Sequence, residues 1–108
     1  MKLTFKDRIT ILHGGVLPFS DSISGIKISR SIREKIGLSV SEKASLGFKE
    51  LGDGRFSYQT NVDLSEFGMD ADITEEELTH LKNGAQRIEQ NSTVTEDTFD
   101  TIEMLLLA

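Results

Sequence analysis

No cysteine and no tryptophan occur among the 108 residues, and proline and tyrosine occur once each. Without cysteine there is no disulfide framework, no zinc–thiolate site and no thiol nucleophile. That absence suits a reducing cytosol and equally a virion, so location stays open between the two. Long apolar runs are also missing. The longest is Met104–Ala108, far short of a bilayer span, so a soluble chain without membrane association is expected. The first residues, MKLTFKDRITIL, are broken by Lys6, Asp7 and Arg8 and do not form a signal peptide. The two histidines, His13 and His80, are far apart in sequence, which disfavours a transition-metal site. Asp70, Asp72, Glu75 and Glu76 superficially suggest calcium. An EF-hand loop starting at Asp70 would need glycine where Glu75 stands and glutamate where Leu81 stands. No phosphate-cradling glycine loop, dinucleotide fingerprint or nucleophile elbow is present. The aromatic content is too low to suggest a sugar cleft for a carboxylate pair. The expectation is a protein that is not an enzyme and that holds no cofactor and no metal.

What the chain does have is a division of charge. Residues 1–36 carry seven Lys/Arg against three acids, a net of +4. Residues 37–61 balance at three of each. Residues 62–108 carry twelve acids against Lys82 and Arg87, a net of −10. A small acidic protein with one basic end and one acidic end is suited to meeting charged surfaces, copies of itself included.

Length and periodicity indicate one α+β domain over residues 1–108. Thr4 to His13 reads as a helix, with Thr4 as N-cap, Asp7 at its third position and Gly14-Gly15 as the stop. Phe5, Ile9 and Leu12 make its apolar spacing, with Ile11 beside them. Val16, Leu17 and Phe19 make the connector too apolar for a free linker. Asp21 or Ser22 opens a second helix to Ile36, with Gly25, Ile28, Ile32 and Ile36 on one stripe. Gly25 is expected to let a neighbouring helix approach. Lys27, Arg30 and Arg33 point away from that stripe, and with Lys35 they form the one basic cluster. Ser39 to Glu42 has capping-box spacing and starts a short helix to about Leu46. Asp53-Gly54 between residues 47–51 and 55–60 signals a hairpin. Residues 62–64 and 67–73 suggest a further, edge-like strand, with Phe67, Met69, Ala71 and Ile73 on one face and Asp70 and Asp72 opposite. Thr74 and Glu77 open a helix to about Gln90, with Leu78, Leu81, Ala85 and Ile88 apolar and Gly84 a candidate kink. After a loop at 91–94, Thr95 caps a last helix with Phe99, Ile102, Leu105 and Leu106 as its apolar positions. The order is two N-terminal helices, a short helix, a small antiparallel sheet built on the Asp-Gly hairpin, and two C-terminal helices.

The segment Gly25-Ile26-Lys27-Ile28-Ser29-Arg30-Ser31-Ile32-Arg33-Glu34-Lys35-Ile36 is similar to a pattern T-L-K-I-x-R-D-L-R-E-K-L of small uncharacterised phage and prophage proteins. The flanking order also resembles theirs. A basic helix like Lys2–Leu12 precedes the pattern and a capped segment like Ser39–Glu42 follows. An acidic strand then leads into helices like Ile73–Ile88 and Thr95–Leu106. The resemblance implies a phage or mobile-element origin and a non-enzymatic supporting role. It transfers no functional residues.

The functional expectation is a protein–protein interaction or assembly protein, with a protein partner or self-association. The basic face of the second helix (Lys27, Arg30, Arg33) would meet acids (Asp70, Asp72, Glu75, Glu76) on a neighbour. Leu107 is a further candidate contact, because three consecutive leucines cannot all face inward on one helix. The alternative is a small DNA-binding regulator using the second helix, with the hairpin as a wing. Against it, the helix before the hairpin has Lys43 as its only base, and the acidic half repels phosphate.

Overall fold

The chain folds as an α+β protein in which most helix starts follow a local capping signal. The computed structural model describes residues 1–18, 20–47, 49–52, 55–57 and 68–108, with backbone alone at 45, 46, 50, 52, 55 and 56. The elements are β1 (Lys2–Thr4), α1 (Phe5–His13), α2 (Ile23–Ile36), α3 (Val40–Leu46), β2 (Lys49–Gly52), β3 (Arg55–Ser57), β4 (Gly68–Asp70), α4 (Glu75–Gln90) and α5 (Phe99–Leu107). Thr4, Ser39 and Thr74 each accept a hydrogen bond from the backbone N–H three residues on. Asp7, Glu42 and Glu77 accept one back from the cap residue. Ser22 caps α2 by accepting from the Gly25 N–H. These reciprocal caps satisfy backbone donors that every helix start leaves without intrahelical partners.

The strands form two separate antiparallel pairs. β2 and β3 are the arms of the expected hairpin, with a register irregularity between Glu50 and Gly52. The Asp53-Gly54 turn lies outside the described residues, as do Phe19, Phe48, Tyr58–Thr60, the segment 62–64 and Phe67. The second pair corrects the expected single sheet. β4 pairs with β1, Leu3 opposite Met69, and not with the hairpin. Met1 extends this ladder, since its carbonyl accepts from the Ala71 N–H at 2.8 Å.

The core joins β1, the helices and the connector after α1. Leu3, Ile11, Val16, Leu17, Ile32, Ile36, Ala71, Leu81, Ala85, Ile88, Ile102 and Leu105 form one buried cluster. Each large side chain fully buried in this way contributes roughly 1.5–3 kcal/mol. The apolar connector packs as expected, with Val16 fully buried. Gly84 does not kink α4, which is continuous from Glu75 to Gln90. A Cβ there would run into the Val16 carbonyl oxygen, so this glycine admits the connector. Gly25 likewise differs from expectation: the group over it is the Asp21 carboxylate, not a neighbouring helix.

The start of α5 is shifted from its expected place. Thr95 and Thr98 exchange hydrogen bonds, each side-chain oxygen accepting from the other's N–H, but regular helix begins at Phe99. Phe99 is consequently half exposed rather than a core residue, and Thr101 is buried in its stead.

Candidate functional site

The carboxylates of the three capping boxes do more than cap. Asp7 on α1 accepts from the Thr101 hydroxyl of α5 at 2.6 Å. Glu42 on α3 accepts from both terminal nitrogens of Arg8 on α1, at 2.6 and 3.0 Å. Glu77 on α4 accepts from the Lys35 ammonium and the Ser31 hydroxyl of α2. A carboxylate at the third helical position therefore fixes both where a helix starts and which helix it meets.

Arg8 is buried at 4% exposure and fully engaged. Its Nε donates to the Ile36 carbonyl and its Nη2 to the Gly37 carbonyl, both at 2.9 Å. These carbonyls end α2, where backbone acceptors lack intrahelical donors and a cation suits the dipole. Its guanidinium also lies 5.3 Å from the centre of the Phe5 ring. The hydrogen bond from Arg8 is the main reason the Glu42 carboxyl is held at a pKa of about 2, below its ordinary 4.5. Partial burial opposes that shift and the Ser39 N–H supports it.

Glu77 shows the balance more sharply. Burial by itself raises its pKa, but hydrogen bonds from Lys35, the Thr74 N–H and Ser31 outweigh burial and hold it at about 2. Lys35 also donates to the Asp72 carbonyl at 2.7 Å. So Lys35 belongs to the α2–α4 contact, apart from Lys27, Arg30 and Arg33, with which it forms one basic cluster in the sequence. Nearly two turns before Lys35 on α2, Ser29 Oγ lies 2.8 Å from His80 Nε2. A serine–histidine pair invites comparison with a catalytic dyad. Ser29 is fully buried, however, so no substrate reaches its hydroxyl, and the pair links α2 to an antiparallel α4. His80 thus faces α2 rather than lying free on the polar side of α4.

The sequence-derived site residues fall into three groups. Lys27 and Arg30 are exposed on α2, and Arg33 is half-buried beside them. Among the described residues none of the three forms an ion pair. Asp70 ends β4, Asp72 lies in the connection to α4, and Glu75 and Glu76 occupy the first turn of α4, all exposed. Asp70 is already engaged: the amino group of Met1 donates to it at 3.0 Å and lowers its pKa. Leu107, at the end of α5, is 79% exposed. Among the described residues the outward cations form no ion pair with these acids, while Lys35 and Glu77 join the basic and acidic segments.

An open depression of about 260 Å³ lies where α1 and α2 end, lined by Leu12, His13, Arg33, Gly37, Leu38 and Lys43. Basic side chains there suit the negative ends of the two helix dipoles. Among the described residues no group of acids and histidines is arranged to hold a metal ion. No described helix is long and apolar enough to cross a membrane. No protein-family model, curated protein or solved structure matches the chain.

The sequence marks Arg8, Glu42, Lys35 and Glu77 unequally. The capping spacing of Glu42 and Glu77 was visible. Nothing local distinguished Arg8 or Lys35 from the outward bases.

Proposed function

We propose that this chain is a non-enzymatic interaction or assembly protein that meets an acidic surface on a neighbouring protein through Lys27, Arg30 and Arg33 of α2. The observation that carries the reading is how the N-terminal cations are divided. Arg8 and Lys35 are consumed inside the fold, each on a capping carboxylate. Lys27 and Arg30 remain outward with Arg33 at their side, and no described acid compensates them. Of the four acids that the sequence singles out, Asp72, Glu75 and Glu76 remain available, because Asp70 is engaged by Met1; α5 exposes Asp100 and Glu103 besides. The ordered likeness to phage and prophage proteins supports a phage or prophage origin, with a place in the host cytoplasm or the virion. Genes for capsid or tail parts beside this one would agree with it.

Nucleic acid is a weaker candidate partner. The helix preceding the hairpin exposes Val40 at 87% and commits Glu42 to Arg8, which is a poor surface for a phosphate backbone. The test compares the wild-type chain with Lys27→Ala/Arg30→Ala/Arg33→Ala. Wild type associates with itself or a protein partner at low salt and releases it at high salt, while the triple variant does not associate. Equal association of the two proteins refutes the reading. Retardation of random duplex DNA by wild type alone transfers the basic face to the DNA-binding alternative.

A further inference from the structure

Two exposed helix faces carry matching patterns that run in opposite directions. On α2, Ile23, Lys27 and Arg30 are spaced by four and then three residues, and all are exposed, Ile23 at 80%. That spacing puts them on one stripe. The stripe lies opposite Gly25, Ser29, Ile32 and Ile36, which α2 buries. On α5, read from its C-terminal end, Leu107, Glu103 and Asp100 are also spaced by four and then three. All are exposed, and they lie opposite the buried Thr101, Ile102 and Leu105. Ile23 and Leu107 are thus large apolar side chains held in water, each beside charges of one sign. Among the described residues Lys27, Arg30 and Glu103 form no ion pair, and Asp100 has only a 3.8 Å approach from Lys6.

We propose that the acidic surface met by α2 is α5 of a second copy of this chain, docked antiparallel. The inference rests on the interaction reading above and names its partner. In this register Leu107 meets Ile23, Glu103 meets Lys27 and Asp100 meets Arg30. A rise of 1.5 Å per residue separates successive members by about 6 Å and about 4.5 Å on both helices, so all three pairs coincide. Phe99, half exposed, flanks Arg30 and offers its ring face to the guanidinium. Parallel docking fails, because it sets Ile23 against Asp100 and Leu107 against Arg30. Glu34, the next residue on the α2 stripe, falls past the first residue of α5 and stays at the solvated rim.

Both helices pack on α4 and use different outward faces. A contact between unlike faces is either repeated head to tail, giving a ring or a filament, or made twice about a two-fold axis, giving a dimer. A face about 13 Å long buries well under the roughly 800 Å² per partner of a standard interface, so association is weak and concentration-dependent.

Sedimentation velocity of the full chain at rising concentration in low salt tests this. Wild type associates. Lys27→Glu, Glu103→Lys and Leu107→Asp each weaken association roughly tenfold. Their thermal unfolding matches wild type, since all three side chains are exposed; Leu107→Ser replaces Leu107→Asp if that variant does not fold. An equimolar mixture of Lys27→Glu and Glu103→Lys proteins associates again, because every junction between the two regains opposite charges. A wild type that stays monomeric, or a mixture no better than its components, overturns the proposal. Association lost in Arg30→Ala/Arg33→Ala but unchanged in Glu103→Lys and Leu107→Asp overturns this register and leaves the broader reading standing.

Discussion

Replacing Glu77 by glutamine separates the charge of the α2–α4 hub from its shape. The side chain of Glu77 is 6% exposed and that of Lys35 is 30% exposed, so water screens their interaction little. A carboxyl whose pKa falls from 4.5 to about 2 on folding contributes about 3 kcal/mol at neutral pH. Glutamine retains an oxygen for the Thr74 N–H, as capping boxes allow. What it removes is the counter-charge of Lys35 and the acceptor of the Ser31 hydroxyl. Glu77→Gln is therefore expected to lose about 2–3 kcal/mol, a large share of the roughly 5–15 kcal/mol that holds a domain of this size together. The sign of the pH dependence follows from the direction of the shift. The folded-state pKa is depressed, so the stabilisation is fully present above about pH 5. It fades as pH falls through 4.5 toward 2, where the folded protein also takes up the proton. Urea denaturation followed by far-ultraviolet circular dichroism at several pH values measures this directly. The gap between wild type and Glu77→Gln is widest at pH 7, about half as large near pH 3 and nearly closed at pH 2. Lys35→Ala completes a double-mutant cycle, in which the double variant loses less than the sum of the singles. A gap below about 0.5 kcal/mol at pH 7, or one that does not change with pH, refutes the hub.

Three further outcomes follow from the packing. Arg8→Lys loses about 2–3 kcal/mol in the same urea assay, because an ammonium cannot hold Glu42 in a fork and also reach the carbonyls of Ile36 and Gly37. Gly84→Ala destabilises by about 1–3 kcal/mol although alanine favours helix, since its Cβ meets the Val16 backbone; a higher melting temperature would show that the connector yields. Ser92→Gly stabilises by about 0.5–1 kcal/mol in a thermal melt. Ser92 stands at φ 54° just past α4, with its N–H bonded to the Glu89 carbonyl and that of Thr93 to the Ile88 carbonyl, a helix ending that favours glycine.

Features set within four residues were legible from sequence, because their physics is local. The capping pairs Thr4/Asp7, Ser39/Glu42 and Thr74/Glu77 announce themselves by spacing, and the structure starts α1, α3 and α4 there. The apolar stripe of α2 was equally readable: Ile32 and Ile36 are fully buried. What escaped depends on partners distant in sequence. β1 is three residues long and has no local strand signal; it exists because Leu3 meets Met69. Gly84 reads locally as a helix weakness and becomes a packing requirement once Val16 lies on it. The two roles of the basic cluster were also hidden. Lys35 lies only two residues from Arg33, yet it faces Glu77, while Arg33 does not. Helical phase around α2 places Lys35 on the α4 side, and only the position of α4 reveals that.

The candidate surface was partly readable for the same reason. The outward direction of Lys27 and Arg30 follows from the phase of the isoleucine stripe. That Asp70 is engaged by the Met1 amino group, and that Phe99 stays half exposed, depends on contacts the local pattern does not encode.

The central claim is that inward charges hold this fold and the outward cations of α2 drive association. Sedimentation velocity of wild type beside Lys27→Ala/Arg30→Ala/Arg33→Ala, at about 20 mM and about 0.5 M salt, tests it most directly. The account predicts that wild type associates at low salt and is monomeric at high salt, and that the triple variant is monomeric at both with its melting temperature unchanged. A wild type that is monomeric under every condition, or a triple variant that associates as well as wild type, contradicts it.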